Sequence, residues 1–401
     1  MVRSVLFASA ISALAMGGAL AQTAVKVGVL GDRSGVYTDI SGEGSVVAAR
    51  LAVEDYAKID PSVKVEVVSA DHQNKPDIGA AIARQWYDRD GVDAIMDGVT
   101  SSVALAVNQV TREKNKVLID SGAGTADLTG PQCTPNTVHW VYDTVALANG
   151  TGGAMVKRGG DTWFFLTADY VFGQTLQRDT AAVVTKNGGK VVGSVKTPFP
   201  TADFSSFLLQ AQGSGAKVIG LANAGGDTIN AIKQAGEFGI TEGGQALAGL
   251  LVFSSEVHAL GTKVAQGLVL TEPFYWDLKD GTRAFSERFS KQMNGRKPTA
   301  NHAGVYAGTI HYLKAVSALK GEAKDGAKAV AKMKELPTDD PLFGKGTIRA
   351  DGRKIHDMYL FEVKKPAESK GEWDLYKTLA TIPGNEVFRP LGEGGCPLVK
   401  G

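Results

Sequence analysis

The sequence predicts an α/β protein made of two doubly wound parallel-sheet halves. Two observations carry this reading. Short apolar runs rich in valine and isoleucine alternate with stretches of helical periodicity, the pattern of a parallel sheet with helices on both faces. The alternation then restarts after about residue 143, giving two similar halves rather than a short-period repeat. At 401 residues the chain is long enough for two domains of ordinary size.

The first half opens with Val25-Lys-Val-Gly-Val-Leu30, a buried parallel strand. A Gly-rich loop from Gly31 to Gly44 follows, then a helix to about Lys58 marked by Val46, Val47, Leu51 and Val53 on one face. Val63 to Ala70 is the next strand. Asp71-His-Gln-Asn-Lys-Pro-Asp77 is a loop ending in a Pro-Asp helix start, and that helix is expected to run to Arg89. Strand 92–96, helix 102–114 and strand Val117 to Ile119 complete the half. The second half reads as strand Thr162 to Thr167, a helix ending at Asn187-Gly-Gly189, strand 191–195, helix 203–212, strand Lys217 to Leu221, helix 225–238 and strand 246–253. Strand 267–271 and helices near 282–293, 299–320 and 326–334 follow. Gly346 to Phe361 reads as two strands joined by the Asp351-Gly352 turn.

Composition narrows the function. The 43 basic and 42 acidic residues nearly cancel, so neither a nucleic-acid stripe nor an acidic tail is present. Met1-Val-Arg3, the apolar span Val5 to Leu20 and the small residues Ala19-Leu-Ala21 read as a secretory signal cut after Ala21. The mature chain is then exported, and loss of Arg3 takes its formal charge to zero. Cys133 and Cys396 each lie near a proline in a loop; in an oxidising compartment they make one bridge, and two free thiols are the alternative.

One stretch organises the candidate site. Asp97-Gly-Val-Thr-Ser-Ser follows an apolar strand and opens a helix. Gly98 permits the turn, and Thr100, Ser101 and Ser102 bring hydroxyls to unpaired backbone N–H groups. Such a helix start holds a carboxylate or another polar head, and an ordinary serine cap is the other reading. Ser121-Gly-Ala-Gly-Thr-Ala-Asp127 lies just past the next strand. Ligands in open α/β sheets bind outside the carboxyl ends of strands, so the loops at Gly31, Gly98 and Ser121 share one rim. From it Ser101, Ser102, Ser121, Ala123, Thr125 and Tyr37 are candidate contacts. In the second half Tyr170 offers a flat face and a hydroxyl, while Asp169 reads as a helix cap. Asn223 and Asp227 flank a loop at a strand end, and Glu256 starts a helix. Trp140, Tyr142 and Asp143 lie where one half passes to the other, either lining the cleft or packing the junction. No His or Cys spacing suits a metal, no Gly-rich phosphate loop suits a nucleotide, and no Gly-x-Ser-x-Gly elbow suits a hydrolase. No catalytic residue and no cofactor is expected.

The motifs also occur in a recognisable order. Val-Lys-Val-Gly-Val-Leu-Gly-Asp-Arg-Ser-Gly, Ala-Val-Glu-Asp, Gly-Val-Thr-Ser-Ser, Ser-Gly-Ala-Gly-Thr-Ala-Asp-Leu-Thr and Asp-Tyr-Val-Phe-Gly together resemble the leucine/isoleucine/valine-binding family of periplasmic solute-binding proteins. The resemblance implies the type I periplasmic binding fold, two α/β lobes joined by a three-stranded hinge with the ligand between them. It implies an N-terminal lobe of residues 22–142 plus about 273–345 and a C-terminal lobe of 143–272 plus about 346–401. It implies a periplasmic monomer that hands a small solute to an ABC permease, without chemistry. Carried over by position, Ser101 binds the ligand carboxylate, Ala123 and Thr125 add a backbone group and a hydroxyl, and Tyr170 covers the ligand from the second lobe. Glu256 lies near the position of an acid that pairs with an amino acid's ammonium. Asp71-His-Gln-Asn-Lys-Pro and Phe274-Tyr-Trp-Asp277 resemble a subgroup that takes aromatic acids and amides. A ligand-sensing module and a secreted enzyme on the same scaffold are the alternatives.

Overall fold

The computed structural model describes residues 23–320 and 322–400. The expected signal segment, residues 1–21, lies outside them. The first sheet contains β1 (Thr23–Gly31), β2 (Val63–Asp71), β3 (Ala94–Asp97), β4 (Val117–Asp120) and β5 (Thr137–His139). All pair in parallel, in the order β2-β1-β3-β4-β5. Every residue of β3 and β4 is buried, which is why these runs lack polar alternation.

The second sheet starts with β6 (Thr162–Ala168), β7 (Lys190–Thr197), β8 (Val218–Ala222), β9 (Ala246–Gly249) and β10 (Val269–Glu272). A small separate sheet holds β11 (Thr338–Asp340), β12 (Gly344–Ile348) and β13 (Lys354–Ile355). Then β14 (Met358–Val363) and β15 (Tyr376–Ile382) rejoin the second sheet, whose order is β15-β14-β10-β9-β8-β6-β7. β14 pairs antiparallel with β10 and β15 antiparallel with β14, so this sheet is mixed. The architecture is two α/β lobes of the type I periplasmic binding fold.

Between β10 and β11 the chain returns to the first lobe. Helices Asp280–Gln292 and Ala300–Leu319 pack there against helix Gly42–Ile59. The chain therefore passes between lobes three times, near 140–143, 273–279 and 349–357. Backbone and side chains stitch the first and third passages together. His139 N–H donates to the Gly352 carbonyl at 2.9 Å, and Arg353 Nη1 donates to the Tyr142 carbonyl at 2.9 Å. Cys133 and Cys396 form a disulfide, tying the C-terminal tail to a first-lobe loop.

Several elements differ from the sequence reading. The expected strand 246–253 stops at Gly249; Leu250 to Phe253 are buried all the same as a loop, with Val252 in the second-lobe core and Leu251 and Phe253 on the cavity between the lobes. The helix expected to reach Arg89 narrows to Pro76–Gln85 and ends in a wider turn over Trp86–Asp90, closed by Gly91 at φ +71°. The Asp351-Gly352 turn pairs β12 with β13, and β14 leaves for the second sheet. Strands β5, β11 and β15 were not anticipated: two have three residues, and β15 is a largely exposed edge.

Candidate functional site

The first-lobe wall is built where β3 ends. Asp97 and Gly98 both have positive φ, +89° and +81°, and turn the chain sharply into helix Ser101–Glu113. A Cβ on Gly98 would lie 2.5 Å from Asp120 Oδ2, so the turn also packs too closely for a side chain. Thr100 occupies the N-cap, but its hydroxyl donates to Asn74 Oδ1 instead of capping the helix. The helix start thus has no side-chain cap. Ser101, 1% exposed, accepts the Thr125 N–H on its Oγ at 3.2 Å, which places these two candidates side by side. Ser102 follows on the same turn, half-buried.

Ala123 and Ser121 sit nearby with their polar groups turned inward. The Ala123 N–H donates to Asp120 Oδ1 at 2.9 Å, and its carbonyl meets His139 Nε2 at 2.7 Å. The Ser121 hydroxyl donates to Asn301 Oδ1 at 2.8 Å. These bonds hold the loop to the first-lobe core rather than pointing groups at the cleft.

Tyr37 is positioned by Asp32. That buried carboxylate accepts the N–H groups of Gly35 and Tyr37 at 2.7 and 2.8 Å and the Asn74 side-chain amide at 2.7 Å. The loop so fixed delivers the Tyr37 phenol to the Tyr170 phenol of the second lobe, where the two oxygens hydrogen-bond. Phe199 stacks on Tyr170 with centroids 4.2 Å apart and lies 5.6 Å from the Tyr37 ring. Burial raises the ionisation of both phenols far above the ordinary tyrosine range.

Between the lobes lies a cavity of about 10 Å³, room for one water. Five rings converge on it: Tyr37 and Tyr142 from the first lobe and hinge, and Tyr170, Phe172 and Phe253 from the second. Ile40, Val99, Ala224 and Leu251 supply the other apolar side chains. A larger solute does not fit between the rings as they stand. Tyr142 donates its hydroxyl to the Gly122 carbonyl. Trp140 is fully buried against His311, and Asp143 caps the Ala146 N–H at 2.8 Å, so these two pack the junction.

The second lobe holds buried acids behind the cleft, none of them lining the cavity. Asp227 accepts the Thr201 N–H at 3.1 Å on Oδ1, while its buried Oδ2 has no hydrogen-bond partner. Burial lifts its pKa to about 7. Asn223 accepts the Thr228 hydroxyl at 2.6 Å, and its buried amide nitrogen is likewise unpartnered. Unsatisfied buried groups of this kind are costly, and a bound solute is one way to satisfy them. Glu256 is used differently. Oε2 accepts the Phe253 N–H at 2.5 Å, and Oε1 accepts the Gly225 N–H. Both oxygens therefore organise second-lobe backbone instead of awaiting an ammonium, and burial pushes the carboxyl up to about 8. Asp169 pairs with Lys196 at 2.9 Å, and Tyr170 takes the N-cap position expected for it.

Phe172, Phe199, Phe253, Ile40, Val99 and Leu251 were absent from the sequence-based candidates. Phe172 lay inside the Asp-Tyr-Val-Phe-Gly motif, two residues from Tyr170; Phe253 was concealed by reading its run as a strand. Among the described residues no group of three or more His, Cys, Asp or Glu could hold a metal ion.

The family model described as periplasmic binding protein matches residues 24–372. A periplasmic binding protein from Burkholderia mallei is 52% identical and superposes with a TM-score of 0.91, covering 94% of this chain and 100% of that one. The crystal structure of a branched chain amino acid ABC transporter periplasmic ligand-binding protein from Burkholderia xenovorans is 41% identical with a TM-score of 0.83, covering 93% and 99%. The Leu/Ile/Val-binding protein homolog 6 of Brucella melitensis is 26% identical over 376 residues, 91% of this chain and 94% of that protein.

Proposed function

The chain belongs to the periplasmic binding protein family, a family of binding proteins and not enzymes, and from that premise we propose that it captures a small apolar-bodied carboxylate for an ABC importer. The lobes, residues 22–142 with about 273–345 and 143–272 with about 346–401, act as a clamp that closes by hinge motion. The protein works in the periplasm as a monomer, and its closed form is what the permease receives. The carboxylate head goes to the uncapped helix start, with the Ser101, Ser102 and Thr125 hydroxyls as its partners.

The observation that carries the choice of solute is the convergence of five aromatic rings on the cavity. They favour an aromatic acid, whose flat body they sandwich. A second reading is a branched-chain amino acid, favoured by the unpartnered Asp227 Oδ2 as an ammonium acceptor, and by the name of the Burkholderia xenovorans relative. Thermal-shift and calorimetric titration of the mature chain against benzoate-type acids and aliphatic amino acids tests both. A solute at a hundredfold excess over its dissociation constant adds about 2.7 kcal/mol of stability. Stabilisation by aromatic acids and not by leucine or valine supports the first reading, and the converse replaces it with the second. Turnover of any bound solute overturns both.

A further inference from the structure

A second chamber lies between the lobes, with a volume of about 200 Å³ against about 10 Å³ for the cleft cavity. The two share no lining residue, yet the same two segments wall off both. In the loop after β1, Tyr37 and Ile40 face the cleft cavity while Thr38 and Asp39 face the chamber. Past β9, Phe253 faces the cleft while Ser255, His258 and Ala259 face the chamber. The first lobe closes the chamber with Phe289, Met293, Arg296 and Lys297, and the second adds Trp373.

Its chemistry is that of a site for an organic anion. Phe289 and Met293 offer carbon surface. On the opposite side His258 stacks on Trp373 with centroids 3.9 Å apart and planes within 3°, making a flat wall. Arg296 is paired with Asp39 at 3.0 Å, and His258 Nε2 hydrogen-bonds Glu372 at 2.8 Å, so both side chains already have partners. Lys297 has no carboxylate within ion-pair distance among the described residues; its ammonium rests 4.6 Å from the centre of the Trp276 ring. The Ser255 hydroxyl is shielded from solvent and has no hydrogen-bond partner.

We infer that this chamber binds a small aromatic carboxylate at a site separate from the cleft, with its head on Lys297 and Ser255 and its ring between Met293 and Trp373. The inference goes beyond the proposed transport solute. Because the walls come from both lobes, the site is complete only when they are closed. Its occupant therefore favours closure and raises the affinity of the cleft for its solute, and the solute reciprocally raises that of the chamber.

Fluorine NMR of the mature chain titrated with 4-fluorobenzoate tests this. Two saturable bound signals are expected. Ala259→Trp, at an exposed position on the chamber wall, abolishes one of them, and Lys297→Ala weakens that same one about tenfold, the loss of one charge-assisted contact. Ser101→Ala weakens chiefly the other, and the chamber signal only by the share the two sites exchange through closure. Near-ultraviolet circular dichroism verifies that each variant is folded. One signal sensitive to Ser101→Ala alone overturns the chamber and leaves the cleft reading intact. One signal sensitive to Ala259→Trp alone supports the chamber and counts against the cleft as an aromatic-acid site. No saturable signal at millimolar ligand overturns the chamber, and the cleft is then judged by its own screen.

Discussion

Gly226 of the second lobe donates its N–H to the carbonyl of Val36 in the first, at 3.1 Å. The neighbouring Gly225 makes this contact possible. It holds φ +62°, and a Cβ there would lie 2.4 Å from the Val36 oxygen and 2.7 Å from the Tyr37 ring. Gly225→Ala therefore pushes directly on the closed interface and adds backbone strain of about 1–3 kcal/mol. The expected result is solute affinity lowered about tenfold or more, with a larger radius of gyration by small-angle scattering in the presence of solute. Wild-type affinity would mean that the lobes close elsewhere.

Ser101→Ala removes the acceptor of the Thr125 N–H and a hydroxyl at the helix start. A lost hydrogen bond to a charged head costs about 1.5–3 kcal/mol. Calorimetry is expected to show that loss in binding, together with a lower melting temperature because the buried Thr125 N–H loses its acceptor. Ser121→Ala serves as the contrast: its hydroxyl is committed to Asn301, so it should lower stability and leave affinity nearly unchanged.

Asp227 gives a pH test that separates the two solutes. Its folded pKa of about 7 lies above the unfolded value of about 3.9, so the stability it contributes is full below about pH 4 and is lost as pH rises through 7. Asp227→Asn should thus gain on the wild type in melting temperature between pH 5 and 8. The neutral buried histidines His72, His302 and His311, each lowered to about 4, act in the opposite sense, losing stability as pH falls from 6.5 to 4, and they cancel in this comparison. For binding, a simple carboxylate is repelled once Asp227 ionises, so its affinity falls from pH 6 to 8. An amino acid whose ammonium meets Asp227 binds more tightly over the same range.

The fold was more legible than the site, for a physical reason. Strand–helix alternation and the glycine and proline boundaries are local, and β1, β3, β4, β6 and β8 fall within a residue or two of where periodicity puts them. The first-lobe rim was legible too, since Gly98, Ser101 and Thr125 belong to loops at adjacent strand ends. Which way a polar group points was not. Ala123, Ser121 and Glu256 are at the expected loops, but their partners His139, Asn301 and the Gly225 N–H come from other segments, and no spacing in the sequence reveals them. The aromatic lining was hidden for the complementary reason. Phe253 and Leu251 read as core residues, and a closed cleft is an interior surface shared by two lobes.

The C-terminal tail is tied to the candidate site. Cys396 bonds to Cys133, and Arg389 donates to the Ala126 carbonyl at 2.6 Å, next to Thr125. Losing a native disulfide costs about 2–5 kcal/mol in small domains, and here the freed tail also stops bracing the loop that holds Thr125. The Cys133→Ser, Cys396→Ser double variant should melt lower than the oxidised wild type and bind solute several-fold more weakly. Reductant should reproduce both effects in the wild type and neither in the variant.

Lys354 at the hinge tests how the buried charges there are balanced. Its ammonium is fully buried, has no hydrogen-bond partner, and lies 4.5 Å from the centre of the Phe343 ring and 5.1 Å from that of Trp140. Asp340 stands 3.8 Å away, too far for a good hydrogen bond. Burial lowers the lysine to about 8, so the unfolded chain holds more protons between pH 8 and about 10.4, and stability rises with pH across that window. Lys354→Met alone removes the cation and leaves the buried Asp340 Oδ2 without its counter-charge, which is destabilising. Asp340→Asn added to it removes the stranded charge while the side-chain oxygen still accepts from the Leu342 and Phe343 N–H groups, now 2.9 and 2.8 Å away. The double variant should therefore equal or exceed the wild type in stability at pH 7 and lose the rise above pH 8. A double variant weaker than either single one would show that Lys354 and Asp340 each stabilise the hinge through other groups.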